Sequence, residues 1–210
     1  MTFNFNNSKK MALSKRDKSN KGNWDNKIKN LCNKINKNKN YFTTSSCSGR
    51  IILIIDEEKK RPGLILFRTH NRITFNQLKN VINNIINRID NVNKNNLKSK
   101  INKTITDKTL KNKTILFKQE PCILVVSCRN KESQWKLFSL AKNNGWKKSG
   151  ILSLDKKLLI ELSSTENISF PIINKEKLIV NDNFLKIVIK KANKNLNRGY
   201  KKIKRLGRLF

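Results

Sequence analysis

The run Tyr41-Phe42-Thr43-Thr44-Ser45-Ser46-Cys47-Ser48-Gly49-Arg50, followed at once by the apolar block Ile51 to Ile55, constrains this chain more than any other stretch. Thr43 to Ser48 carry hydroxyls or a thiol and little volume, so they cannot fill a core. Gly49 frees the backbone, and small polar residues beside a glycine let successive N–H groups converge on an anion. Arg50 adds a planar donor fork suited to a carboxylate or phosphate. The alternative is a Ser-rich turn that merely caps a strand and needs no ligand. Aromatics before the run, the Gly-Arg step and the strand directly behind it weigh toward a binding loop.

Charge narrows what such a loop would meet. Over 210 residues, 47 Lys and Arg face 14 Asp and Glu, a net charge of +33. A field of that sign draws in polyanions and speeds their encounter, which makes RNA the expected partner. Joint inflation of Lys, Asn and Ile indicates that part of this charge is compositional drift. Residues 1–14 hold no apolar core of signal-peptide length, and no stretch approaches the ~18 apolar residues of a membrane span. A soluble, cytoplasmic, monomeric chain with no membrane partner is therefore expected. The four cysteines (Cys32, Cys47, Cys122, Cys128) form no C-x-x-C pair, and one histidine cannot complete a zinc pattern. Reduced thiols and no metal are the expectation.

Taken in order, residues 1–14 read as a basic disordered arm ahead of one domain spanning 15–210. Trp24, Ile28, Leu31 and Ile35 recur at helical spacing and predict a helix from Trp24 to Lys37, with Asp25 in its first turn beside the positive end of the dipole. Arg50–Ile55 and Gly63–Thr69 predict a hairpin with His70 at its exit. Phe75, Leu78, Val81, Ile82, Ile85, Ile86 and Ile89 form the stripe of a helix from Thr74 to Ile89. The Asn- and Lys-rich segment 91–112 has no period and reads as a low-complexity insertion. Strands follow at Lys113–Lys118 and Pro121–Cys128. A helix then runs from Lys131 to Asn144, capped by Asn130, stopped by Gly145 and turning Trp135, Phe138, Leu140 and Ala141 inward. Ser149–Leu154 and Lys157–Leu162 form a second hairpin, and a last helix covers Phe184–Arg205, opened by Asp182 or Asn183. Hairpins mixed with helices, without strict βαβ alternation, predict an α+β fold with a mixed sheet and not a doubly wound one.

The segment Lys15-Arg16-Asp17-Lys18-Ser19-Asn20-Lys21-Gly22, then Asp25, Ile35-Asn36 and the unbroken run from Tyr41 to Ile51, resembles the wybutosine-synthesis methyltransferase family. That family carries a D-x-S-x-K-G element, a helix, and then Y-F-T-T-S-S-C-S-G-R-I. Ile115 to Pro121 and Gly145 to Ile151 are similar to it in the same order. The resemblance implies methyl transfer from S-adenosylmethionine to N4, a ring nitrogen of a tricyclic modified guanosine. That base lies just 3′ of the anticodon, in the anticodon loop of phenylalanine tRNA. Where the family has arginines around a Ser-Thr pair, this chain departs from it with Ser163 and Asn167.

In-line methyl transfer depends chiefly on alignment, which is worth roughly 7–11 kcal/mol when reactants are well oriented. A base for the ring N–H proton adds ~10²–10⁴-fold. The family also has a histidine at the end of this strand, and the candidates here are His70, which titrates near neutrality, and Asp17. The cofactor-binding candidates are Ser45, Ser46, Ser48, Gly49, Arg50 and Lys21. Arg50 has two possible clients, because both the cofactor and the modified base carry an aminocarboxypropyl carboxylate. Tyr41 and Phe42 are placed either to stack on a base or to fill the core. The competing function is a non-catalytic basic RNA-binding protein that keeps the fold without the chemistry.

Overall fold

An apolar run as long as Ile51 to Ile55 has no polar face to turn to water, so it needs cover on both sides. The computed structural model, which describes residues 3–14, 25–59, 61–94, 110, 112–155 and 157–210, supplies it. Its elements run α1 (Phe5–Ser14), α2 (Asn26–Lys37), β1 (Tyr41–Cys47), β2 (Arg50–Ile55), β3 (Ile65–Thr69), α3 (Phe75–Lys94), β4 (Ile115–Glu120), β5 (Ile123–Cys128), α4 (Lys131–Asn143), β6 (Gly150–Ser153), β7 (Leu159–Ser163), β8 (Ile168–Asn174), β9 (Lys177–Leu178) and α5 (Asp182–Gly207). β2 lies between β3 and β4, and Ile51, Ile52, Leu53 and Ile55 are at most 2% exposed.

The chain clusters into two compact units. One is Met1–Gly49, Pro121–Glu166 and Leu196–Phe210; the other is Arg50–Glu120 and Asn167–Asn195. Each unit has its own sheet, of order β1-β5-β7-β6 in the first and β3-β2-β4-β8-β9 in the second. In the first, Ile28, Leu31 and Ile35 of α2 join Leu124, Val126, Ile160, Leu162, Trp146, Leu137, Ile203 and Leu206 in one core. In the second, Leu78, Ile82, Ile85 and Ile89 mark the buried stripe of α3, and Leu185, Ile189 and Ala192 mark that of the first part of α5.

The α+β class holds, and so do the β2–β3 and β6–β7 hairpins. Asn130 caps α4 in a reciprocal capping box with Ser133. Gly145 has φ +92° and ends the helix in the left-handed region. The single mixed sheet is corrected: every strand pair between described residues is antiparallel, and the strands divide into two sheets. Sequence period identifies strands but not their partners.

Other expectations change as well. Residues 5–14 are not a disordered arm but α1, held because Phe5 is buried against the Phe42 ring at 5.2 Å, with the Arg129 guanidinium 4.6 Å from the Phe5 ring centre. Trp135 is 62% exposed; α4 buries Gln134, Leu137 and Ala141, a face about 100° away from the one expected. β8 and β9 carry no clear sequence signal. Pro171 sits inside β8, where a bulge against β4 accommodates it. The β8–β9 turn uses Lys175 and Glu176 at positive φ, where Asn-Gly would have announced a tight hairpin. The last helix starts at Asp182 with its Phe184 N–H donating to Asn181 Oδ1 at 2.9 Å. Within 91–112, residues 91–94 finish α3, while 95–109 and 111 lie outside the described residues. Among the described residues no helix is long and apolar enough to cross a membrane.

Candidate active site

Tyr41 to Cys47 is a strand, not a loop, and its small side chains survive there because both ends are anchored. The Tyr41 hydroxyl donates to the Ser133 carbonyl at 3.0 Å, and burial pushes this phenol up to about 12. Phe42 is 1% exposed. Both aromatics therefore belong to the core and offer no face to a base. Beyond them the register against β5 slips between Thr43 and Ser45, leaving Thr44 as a bulged residue. A bulge re-aims the side chains that follow it and interrupts the ladder. The Thr43 N–H donates instead to Asn36 Oδ1 at 2.8 Å, and Asn36 Nδ2 donates to Thr43 Oγ1 at 3.1 Å.

The opposite end of α2 braces the end of β1. Asp25 is the N-cap of α2, accepting from the Lys27 N–H through Oδ1 at 3.2 Å. Its Oδ2 accepts from the Ser48 N–H at 2.8 Å. One carboxylate thus satisfies a helix terminus and orients the turn at Ser48-Gly49, where Gly49 has φ 95°. The α5 backbone lies close to the turn, since a Cβ at Gly199 would sit 3.6 Å from the Ser48 carbonyl oxygen. Ser48 is fully buried, and its Oγ has no hydrogen-bond partner among the described residues. A buried hydroxyl in that state costs free energy until something binds it. Replacing Asp25 by alanine removes both acceptors, and we expect a loss of about 1–3 kcal/mol. Urea unfolding checks this; an unchanged midpoint would show that water replaces the carboxylate at no cost.

The remaining serines differ in setting. Ser45 is exposed. Ser46 hydrogen-bonds the Cys32 thiol of α2, yet burial dominates and pushes that thiol up to about 11. Burial likewise pushes Cys122 up to about 11 and Cys128 up to about 12, so these three cysteines stay protonated and unreactive near neutrality.

In the second unit, Arg50 opens β2 and pairs in register with Glu120, the last residue of β4. Arg50 Nε donates to Glu120 Oε2 at 2.5 Å, with the two side chains 27% and 34% exposed. The Arg50–Glu120 segment is therefore closed by an ion pair between its own first and last residues. Beside it, Asn195 Nδ2 donates to Gln119 Oε1 at 2.7 Å, and Gln119 Nε2 donates to the Glu120 carbonyl at 2.8 Å, both amides being buried. Ile51 pairs with Thr69, so one further step of the same register sets half-buried His70 across from Arg50. Three neighbouring strand ends thus deliver a guanidinium, a carboxylate and an imidazole to one edge of one sheet. That set can bind an anion and move a proton.

Of the residues expected from sequence, Ser45, Ser46, Ser48 and Gly49 fall together in the first unit and Arg50 and His70 together in the second. Asp17 and Lys21 lie outside the described residues. Ser163 is buried in β7, its N–H accepted by Ser149 Oγ at 3.1 Å, so it belongs to the packing of the β6–β7 region. Sequence reasoning missed the second carboxylate contact of Asp25, the Asn36 clamp and Glu120. Glu120 was visible only as part of the Gln119-Glu120-Pro121 run; its pairing with Arg50 needs the β2–β4 register.

Comparison with known proteins identifies the family. The Methyltransferase TYW3 family matches residues 6–210. A Thermococcus sibiricus protein described as tRNA(Phe) 7-((3-amino-3-carboxypropyl)-4-demethylwyosine(37)-N(4))-methyltransferase is 33% identical over 207 residues, covering 97% of this chain and 92% of that one. A tRNA wybutosine-synthesizing protein 3 homolog of Danio rerio is 30% identical over 203 residues, covering 94% of this chain and 70% of that protein. The solved structure of the PH1069 protein from Pyrococcus horikoshii superposes with a TM-score of 0.78 at 29% identity, covering 98% of this chain and 93% of that one. With the match running almost end to end in sequence and in fold, this chain belongs to the Methyltransferase TYW3 family.

Proposed function

We propose that the protein methylates N4 of the tricyclic wybutosine precursor in the anticodon loop of phenylalanine tRNA, with S-adenosylmethionine as donor, acting in the cytoplasm as a monomer. The match to a methyltransferase family along residues 6–210 carries this reading. The donor set suits the cofactor: Ser48 offers a buried hydroxyl without a partner among the described residues, and Gly49, at φ 95°, adds no side chain beside it. Ser45, Ser46, Ser48, Gly49, Arg50 and Lys21 are the residues that would hold it. When bound, the sulfonium supplies the methyl group and its own leaving group.

The protein's share is alignment and one proton. Methylating a ring N–H nitrogen forms an N–C bond and releases the N–H proton. An imidazole nitrogen of His70 accepts that proton, unless Asp17 does. Arg50 binds an aminocarboxypropyl carboxylate as a planar fork. Its bond to Glu120 through Nε orients the guanidinium in advance, which lowers the ordering cost of binding.

The test is methyl transfer from labelled S-adenosylmethionine to phenylalanine tRNA bearing the aminocarboxypropylated tricyclic base, beside unmodified tRNA. The expected outcome is a mass gain of one methyl on that nucleoside alone. No transfer, with no cofactor binding by calorimetry, would leave a basic RNA-binding protein in its place.

A further inference from the structure

The end of α4, Glu166 and the last turns of α5, all in the first unit, border an open surface cavity of ≈ 340 Å³. Arg198, Lys201, Lys202 and Arg205 line it. Their spacing of i, i+3, i+4 and i+7 puts all four on one face of α5. Like charges at that spacing weaken a helix, so helix stability gives no reason for them. Glu166 is the one carboxylate present, and it bonds Lys202 Nζ at 2.6 and 2.8 Å. Burial pushes the Glu166 carboxyl up, but the Lys202 hydrogen bond and charge more than offset this and hold it below the ordinary value. The local sequence makes room for the pair. A Cβ at Gly145 would stand 3.3 Å from Lys202 Cε, so glycine lets that stem lie across the end of α4. Among the described residues, one acid therefore fixes one cation, and the wall holds no other carboxylate to pair with the other three.

Composition alone does not account for this wall. Drift toward Lys and Asn would not enrich Arg, yet two of the chain's ten arginines, Arg198 and Arg205, line this cavity. Arginine is the side chain whose fork matches phosphate oxygens. On α4, whose end forms the cavity's other side, exposed Trp135 packs on Phe138 at 5.6 Å and Lys142 Nζ sits 5.2 Å from the Phe138 ring centre. Lys142 over the Phe138 ring and the exposed Trp135 add a cation and an aromatic face on α4, a combination that suits a nucleic-acid strand better than a small free anion.

We propose that this cavity binds backbone phosphates of the substrate tRNA, with Arg198, Lys201 and Arg205 making the contacts and the Glu166–Lys202 pair shaping the wall. The proposal rests on tRNA being the substrate. It assigns α5 the task of holding the RNA body, apart from the residues that hold cofactor and base.

The test compares the full-length protein with the double variant Arg198→Ala/Arg205→Ala and with Lys175→Ala/Lys177→Ala, which removes equal charge from the exposed β8–β9 turn. Phenylalanine tRNA is titrated across a salt series. Losing two phosphate contacts should lower the slope of log K against log salt by about 1–2, and weaken binding on the order of tenfold at ~0.1 M salt. The control pair should change less, because it lowers net charge by the same amount without removing a cavity cation. Equal losses in both variants, or none in either, would overturn the proposal in favour of diffuse attraction. Reduced affinity for S-adenosylmethionine with unchanged tRNA binding would overturn it in favour of a small-anion site. Methyl transfer at saturating tRNA separates the two ideas. An active protein whose arginine variant keeps kcat and raises KM for tRNA supports both, whereas an active protein with unaltered KM removes the cavity alone. An inactive wild type removes the methyltransferase assignment.

Discussion

Replacing His70 by glutamine is expected to lower methyl-transfer turnover by ~10²-fold or more. Glutamine keeps the approximate size and a hydrogen-bonding end but cannot take up a proton near neutrality. His70 directly follows β3, outside the ladder that ends at Thr69, so its replacement by a similar-sized side chain removes no ladder hydrogen bond. Melting temperature should therefore stay close to the wild-type value. A base acts only when unprotonated, so the wild-type rate should rise with pH through the range in which imidazoles titrate. The variant's profile should be flat there. If His70→Gln turns over like the wild type across pH, the base is not His70, and Asp17→Asn becomes the deciding variant.

Arg50→Ala is the second large effect expected, a loss of ~10²–10³-fold in turnover efficiency, the scale found when one preorganised donor to a charged group is removed. Stability should respond far less. The Arg50–Glu120 pair is about one third exposed on each side, and ion pairs in that setting are worth roughly 0–1 kcal/mol. Glu120→Gln should carry a similar stability cost and retain more activity, because it keeps the guanidinium while weakening only its anchor. Arg50→Lys keeps charge but not the fork and should fall between the two. The kinetic constants also identify the ligand. A raised KM for S-adenosylmethionine places the cofactor carboxylate on Arg50, and a raised KM for tRNA places the modified base there. Loss of several kcal/mol of stability with activity preserved would make Arg50 a structural residue.

What sequence determined about this protein is local. Period and caps located α2, α3, α4 and α5 because each buries one stripe, as Leu78, Ile82, Ile85 and Ile89 do on α3. The hairpins were legible because strands joined by a short link have one obvious partner. The run from Tyr41 to Arg50 marked the candidate site, since so many small polar residues in a row serve no core. Tertiary structure alone decided the rest. Long-range register made Thr43 to Cys47 a bulged strand and set Glu120 against Arg50, 70 residues away along the chain. It brought Asp25 to Ser48 and Asn36 to Thr43, contacts in which a polar group left over by one element is satisfied by another. It also turned Trp135 outward, because a single helical position separates the buried face of α4 from its flank. Period and composition are properties of neighbours in sequence; pairing depends on which surfaces remain to be covered once every element has formed.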